Sequence, residues 1–135
     1  MKHQHFDVGT VGFYGAYWAC AGGSDCAVIA MIGDDPEDRL ARSAVKWLCG
    51  RGVNVLTMSP AKKDYGHHNY PLERVETAIS WLKANGNHKI GIAGASTTGT
   101  LALTAAAMFP DVTLTIAMTP SDFVWQGFMQ GKRDG

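Results

Sequence analysis

Short apolar runs alternating with helix-forming stretches restrict this chain more than any other feature. Cys26 to Ile32 (CAVIAMI) is an unbroken apolar run of strand length, the mark of a strand buried on both faces. Val53 to Met58 (VNVLTM), Lys89 to Ala95 (KIGIAGA) and Val112 to Met118 (VTLTIAM) read the same way, and Gly12 to Cys20 (GFYGAYWAC) is an aromatic-rich strand bounded by glycine. Between these runs lie helical patterns. Asp35-Pro36 opens the first, with Leu40, Ala44, Trp47 and Leu48 on its inward stripe and Gly50 and Gly52 at its end. Pro71 opens the second, with Val75, Ile79 and Leu82 inward, and Thr97 to Phe109 is a third, made of small residues. Trp47, Trp81 and Leu82 are expected in the core. The order β-β-α-β-α-β-α-β requires right-handed crossovers. It predicts the α/β class: a three-layer α/β/α domain on a mainly parallel sheet.

Size and charge narrow the function classes. A chain of 135 residues suits one domain, residues 1–135, with a real core. Lys plus Arg equals Asp plus Glu, 12 against 12, so nothing favours a nucleic-acid or anionic-membrane partner. Cys20, Cys26 and Cys49 form no C-x-x-C pair, which argues against a metal or redox site and for reduced thiols. Lys2 to Asp7 has no apolar leader segment, and no apolar run is long enough to span a bilayer. A cytoplasmic protein is the expectation.

The segment Gly91 to Thr100 (GIAGASTTGT) carries the chemistry. A strand runs straight into Gly94-Ala95-Ser96-Thr97-Thr98 and then a helix, the context a nucleophile elbow needs. Small residues before Ser96 let the turn close, and the helix behind it aims N–H groups at any developing negative charge. The Thr97 N–H is one expected oxyanion donor. The loop after Cys26 to Ile32 supplies the other, through the N–H of Asp34. The side chains of Asp34 and Asp35 are read as helix caps. Thr98 stands where G-x-S-x-G would place glycine, with Gly99 one step later.

From about Ala27 to Phe123 the chain resembles the catalytic domain of the acyl-CoA thioester hydrolase and bile acid-CoA:amino acid N-acyltransferase family, close to dienelactone-hydrolase-like proteins. The matching pieces are AVIAMIGDD, RSAVKWLCGRGVNVLTM, PLERVETAISWLKAN and KIGIAGASTTGTLALTAAAMFPDVTLTIAMTPSDFVWQGF. The resemblance implies an α/β-hydrolase fold, Ser96 as nucleophile, an ester or acyl thioester substrate and no metal or organic cofactor. It also implies two further strands, with the acid after the first and the histidine after the last. The reading is therefore of a partial domain, ending after the strand that follows the nucleophile helix.

Within the chain, Asp122 just past the last strand is a candidate acid, and His67 and His68 are candidate bases on the same sheet edge as Ser96. His3, His5 and His88 read as surface residues. Phe123, Val124, Trp125, Phe128 and Met129 form a late apolar cluster through which a homo-oligomer is expected. Two other functions stay open. One is a non-catalytic remnant serving as a binding or assembly module. The other is a dinucleotide-binding turn built on Gly91, Gly94 and Gly99, although their spacing is not G-x-G-x-x-G.

Overall fold

The computed structural model describes residues 2–60, 69–123, 127–129 and 132–134. Its elements are β1 (Lys2–Phe6), α1 (Val8–Val11), β2 (Gly15–Ala19), β3 (Cys26–Met31), α2 (Arg39–Cys49), β4 (Asn54–Met58), α3 (Glu73–Ala84), β5 (Lys89–Ala95), α4 (Thr97–Met108), β6 (Val112–Met118), β7 (Gly127–Met129) and β8 (Lys132–Asp134). Six strands form one sheet in the order β1-β2-β4-β3-β5-β6, and β7 and β8 pair separately. β3, β4, β5 and β6 run parallel, while β1 and β2 are antiparallel additions at one edge. The α/β class and the mainly parallel sheet are as the sequence requires.

The sheet separates two cores. On one face Ile29, Leu56, Ile90 and Ile92 meet Val75, Ile79 and Leu82 of α3 and Ala102 and Ala105 of α4. On the other, Ala16, Trp18, Val28 and Val55 meet Val45 of α2. Each fully buried large apolar side chain stabilises by roughly 1.5–3 kcal/mol, so these two layers hold the fold. Alanines on the inner side of α4 let that helix lie close to the sheet.

Residues 2–11 carry structure that hydrophobic period does not announce. β1 (KHQHF) alternates polar side chains and owes its place to pairing with β2, to the ring of His3 stacked 4.2 Å from Trp18, and to buried Phe6. Asp7 caps α1 by accepting from the Thr10 N–H at 3.0 Å, and Gly12 closes it at φ +84°. The expected strand from Gly12 to Cys20 therefore shortens to β2, because Phe13 and Tyr14 turn into the core.

The helix expected from Asp35-Pro36 begins later. Asp38 is the N-cap and accepts from the Ala41 N–H at 2.9 Å, so α2 starts at Arg39. That phase turns Ala41 and Val45 inward and leaves Leu40 at 61% and Trp47 at 55% exposure, against the expected inward stripe. Trp47 instead carries the Arg51 guanidinium 4.0 Å from its ring centre. Trp81 behaves as expected, packing edge-on against Phe6 and Tyr17 at 4.8 and 5.0 Å. The three cysteines are free, and burial, followed by the nearby Cys20, pushes the Cys49 thiol up.

A buried polar knot ties the amino ends of the parallel strands. Asn54 Nδ2 donates to Asn87 Oδ1 at 2.8 Å and to the Ser24 carbonyl at 3.1 Å, while Asn54 Oδ1 accepts from the Cys20 N–H at 3.0 Å. Asn87, fully buried, donates in turn to the Leu82 carbonyl at 3.2 Å. Asn87→Ala takes from the buried Asn54 amide one of its two acceptors and is expected to cost about 1–3 kcal/mol. Urea unfolding checks this, with a lowered midpoint and an unchanged slope as the expected result.

Candidate active site

The carboxyl ends of β3, β5 and β6 lie side by side, with Met31 opposite Gly94 and Ala95 opposite Met118. Ligands of open parallel sheets bind at this edge. Ser96 stands there, exposed, between the end of β5 and the start of α4. Its backbone is at φ +57° and ψ −120°, a region that a residue with a side chain occupies only under strain of about 1–3 kcal/mol. The turn is held from both sides: the Ser96 N–H donates to the Met118 carbonyl at 2.9 Å, and its carbonyl accepts from the Thr100 N–H at 3.1 Å. The Ser96 side chain does not cap α4. Among the described residues its hydroxyl has no hydrogen-bond partner.

Two glycines make the turn fit. A Cβ on Gly94 would run into the Thr98 carbonyl and come 2.8 Å from the Gly99 nitrogen. One on Gly99 would come 2.9 Å from the Met118 carbonyl. Thr98, which interrupts G-x-S-x-G, points elsewhere. Its hydroxyl is 2.6 Å from the Met31 carbonyl, to which it donates, and it accepts from the Ala95 N–H at 3.0 Å. The threonine thus bolts α4 to the end of β3, and Gly99 provides the close contact in place of position 98. Gly91 sits inside β5, where a Cβ would come 3.3 Å from Val28 Cγ2. Gly94 and Gly99 thus serve close packing between backbone segments, and Gly91 packs against the Val28 side chain.

The expected oxyanion donors differ in state. The Thr97 N–H belongs to the first turn of α4, directly after Ser96. The Asp34 N–H, expected to face an oxyanion, donates instead to Asp38 Oδ2 at 2.7 Å, and the Asp35 N–H shares that oxygen at 3.2 Å. The helix cap differs from the expectation: Asp38 takes that place. Asp35 does not cap α2; its carboxylate accepts from the Glu37 N–H at 3.0 Å and from the Tyr14 hydroxyl at 3.2 Å. Burial alone would raise the Asp38 carboxyl, but the N–H groups of Ala41, Asp34, Asp35 and Leu40 outweigh it and hold the pKa below its ordinary value.

Asp122 is exposed and lines a groove of about 340 Å³ with Thr100, Leu103, Thr104, Ser121 and Phe123, along the flank of α4. The described histidines lie away from Ser96. His88 precedes β5 at its opposite end. His3 and His5 lie on β1 at the far edge of the sheet, where both meet the Glu37 carboxylate, His5 at 3.0 Å. That cluster was not legible in the sequence, because only the pairing of β1 with β2 brings residues 3 and 5 to residue 37. His67 and His68 lie outside the described residues. No cluster of three or more His, Cys, Asp or Glu among the described residues could hold a metal ion, and no helix among them is long and apolar enough to cross a membrane.

Comparison with solved structures places this fold. The chain is similar to an esterase of Pyrococcus furiosus (TM-score 0.64, 20% identity, 80% of this chain and 45% of that one). It is also similar to the α/β hydrolase GrgF of a Penicillium species (0.68, 22% identity, 88% and 45%). A third likeness is to Est1E of Butyrivibrio proteoclasticus, solved with ferulic acid (0.63, 20% identity, 87% and 52%). The chain has the α/β-hydrolase fold and spans about half the length of these proteins. No protein-family model and no curated protein matches it.

Two measurements test this geometry. Ser96→Gly relieves the strained backbone and is expected to stabilise the chain by about 1 kcal/mol, whereas Ser96→Ala keeps the strain and leaves the thermal midpoint near the parent's. Asp38→Ala is expected to cost about 1 kcal/mol at pH 7. Because the folded pKa of Asp38 is depressed, its contribution is complete above the ordinary value of 3.8 and fades as pH falls through the lower folded value. Asp38→Asn keeps the cap without the charge and should remove that acid dependence in a melting series.

Proposed function

We propose that the chain forms the nucleophile-bearing part of a serine hydrolase acting on a small-molecule ester or acyl thioester. The observation that carries this reading is the backbone of Ser96: a serine held at positive φ, exposed at the carboxyl edge, with glycines packed behind it and a helix starting at the next residue. The Ser96 oxygen attacks the acyl carbonyl and its proton passes to a base. The alcohol or thiol leaves with a proton, and water then cleaves the acyl-serine and restores the hydroxyl. The Thr97 N–H holds the oxyanion at the positive end of α4. The Asp34 N–H joins it only if Asp38 releases that group. Asp122 serves as acid if the groove beside α4 closes toward Ser96. The resemblance to acyl-CoA thioester hydrolases favours a thioester among the substrates.

A second reading has its own support: none of the described histidines stands near Ser96, and a serine without a base is a weak nucleophile. On that reading the chain keeps the fold as a binding or assembly module. Labelling with a fluorophosphonate, read by intact mass, separates the two. The expected result is one adduct on the parent and none on Ser96→Ala. A folded parent that takes no label sinks the hydrolase reading for this chain and leaves the non-catalytic one.

A further inference from the structure

Of the late apolar cluster expected to join copies of the chain, only the Phe123 side chain lies within the described residues, whereas the loop between β3 and α2 is described throughout. In that loop the two oxygens of Asp38 do different work. Oδ1 caps α2, accepting from the Ala41 N–H at 2.9 Å. Oδ2 accepts from the Asp34 N–H at 2.7 Å and from the Asp35 N–H at 3.2 Å. A helix cap needs only one oxygen, and serine, which has one, is among the best. The second oxygen is surplus to the cap. It goes to the very N–H that the hydrolase reading sets beside an oxyanion. Gly33 fits the same closure: it stands at φ +95°, and a Cβ there would run into both carboxylate oxygens.

The rest of the loop is fastened without Asp38. The Gly33 carbonyl accepts from the Ser59 hydroxyl at 3.3 Å, and the Pro36 carbonyl from the Thr57 hydroxyl at 2.6 Å. The Glu37 carboxylate meets the rings of His3 and His5 on β1, and the Glu37 carbonyl accepts from Arg42 Nε at 2.7 Å. These anchors hold the loop on both sides of Asp34 when Oδ2 lets go.

We propose that Asp38 is an autoinhibitory contact: its Oδ2 occupies the Asp34 N–H and keeps the second oxyanion donor of the Ser96 site out of use, while Oδ1 caps α2 in either state. This role for the Asp34 N–H rests on the hydrolase reading. A charged acceptor holds an N–H about twice as strongly as a neutral one. The neutral carbonyl of a bound ester or thioester therefore competes poorly with Oδ2. The charged oxygen of a tetrahedral adduct competes better, yet it must displace Oδ2 and lie beside its negative charge. The barrier at Ser96 is higher than it would be with the donor vacant.

Asp38→Ser separates the two oxygens. Its hydroxyl caps α2 and leaves the Asp34 N–H without the second acceptor. Parent and variant are treated as full chains with a fluorophosphonate, because attack by Ser96 builds negative charge on the phosphoryl oxygen. The rate of adduct formation is read by intact mass, and exchange at the Asp34 amide by nuclear magnetic resonance. The expected result is faster exchange at Asp34 and labelling at least about tenfold faster in the variant, since one oxyanion donor is worth about 10²–10³ in rate. Leu40→Ser, on the exposed side of α2, labels at the parent's rate. A purely structural Asp38 gives the opposite sign, a looser loop and slower labelling. Labelling of the variant at or below the parent's rate overturns the autoinhibitory contact and leaves the hydrolase reading standing, as does an Asp34 amide that exchanges no faster. No adduct on either protein sinks the hydrolase reading and the contact with it. If Asp38→Ser does not fold, Asp38→Asn, which also keeps one oxygen for the cap, is measured in its place.

Discussion

Close contact between backbone segments at the β5–α4 turn is the constraint on which the rest of the carboxyl edge depends. Gly94 lies on the Thr98 carbonyl and Gly99 on the Met118 carbonyl, distances no side chain would tolerate. The same contact holds Ser96 at positive φ, because its N–H is fixed to Met118 and its carbonyl to Thr100. Strain of this kind persists only where the surroundings over-determine it. Here they do so through three strands at once, since the Thr98 hydroxyl reaches the Met31 carbonyl and joins β3 to the same knot. The exposed serine hydroxyl is therefore carried on a turn tied by hydrogen bonds to β3 and β6.

A different polar device secures each end of the sheet. Asn54 and Asn87 hold the amino ends through buried hydrogen bonds, far from Ser96. At the carboxyl end Asp38 gathers N–H groups from the loop and the start of α2. That choice has a chemical consequence. The loop after β3 is ordered by the carboxylate that occupies the Asp34 N–H, so order in the loop and availability of that N–H oppose each other. The uneven coverage of the sheet is the third large feature: among the described residues α3 and α4 cover one face, while α2 alone packs on the other.

Much of this was readable before any coordinates. β5 and β6 begin and end where their apolar runs do, and the inward residues of α3 are those its spacing names, because buried parallel strands and amphipathic helices write their period directly into the chain. The Ser96 turn was readable too, since strand, small residues and helix follow one another without a gap. β1 was not, because a polar edge strand has no apolar period and depends on what it pairs with. The phase of α2 was misread by a few residues: Asp35 and Asp38 are both plausible caps in sequence, and only the loop geometry selects Asp38.

By itself the sequence determined the α/β class, the parallel strands and the place of Ser96, because each rests on local period or local turn chemistry. Tertiary structure alone decided the rest. It brought Thr98 to Met31 and closed Asp34 onto Asp38. It also gathered His3 and His5 at Glu37 and left Leu114 and Ile116 bare. These outcomes depend on which strand lies beside which and on how many helices cover each face. No window of consecutive residues holds that information, because the partners come from distant parts of the chain.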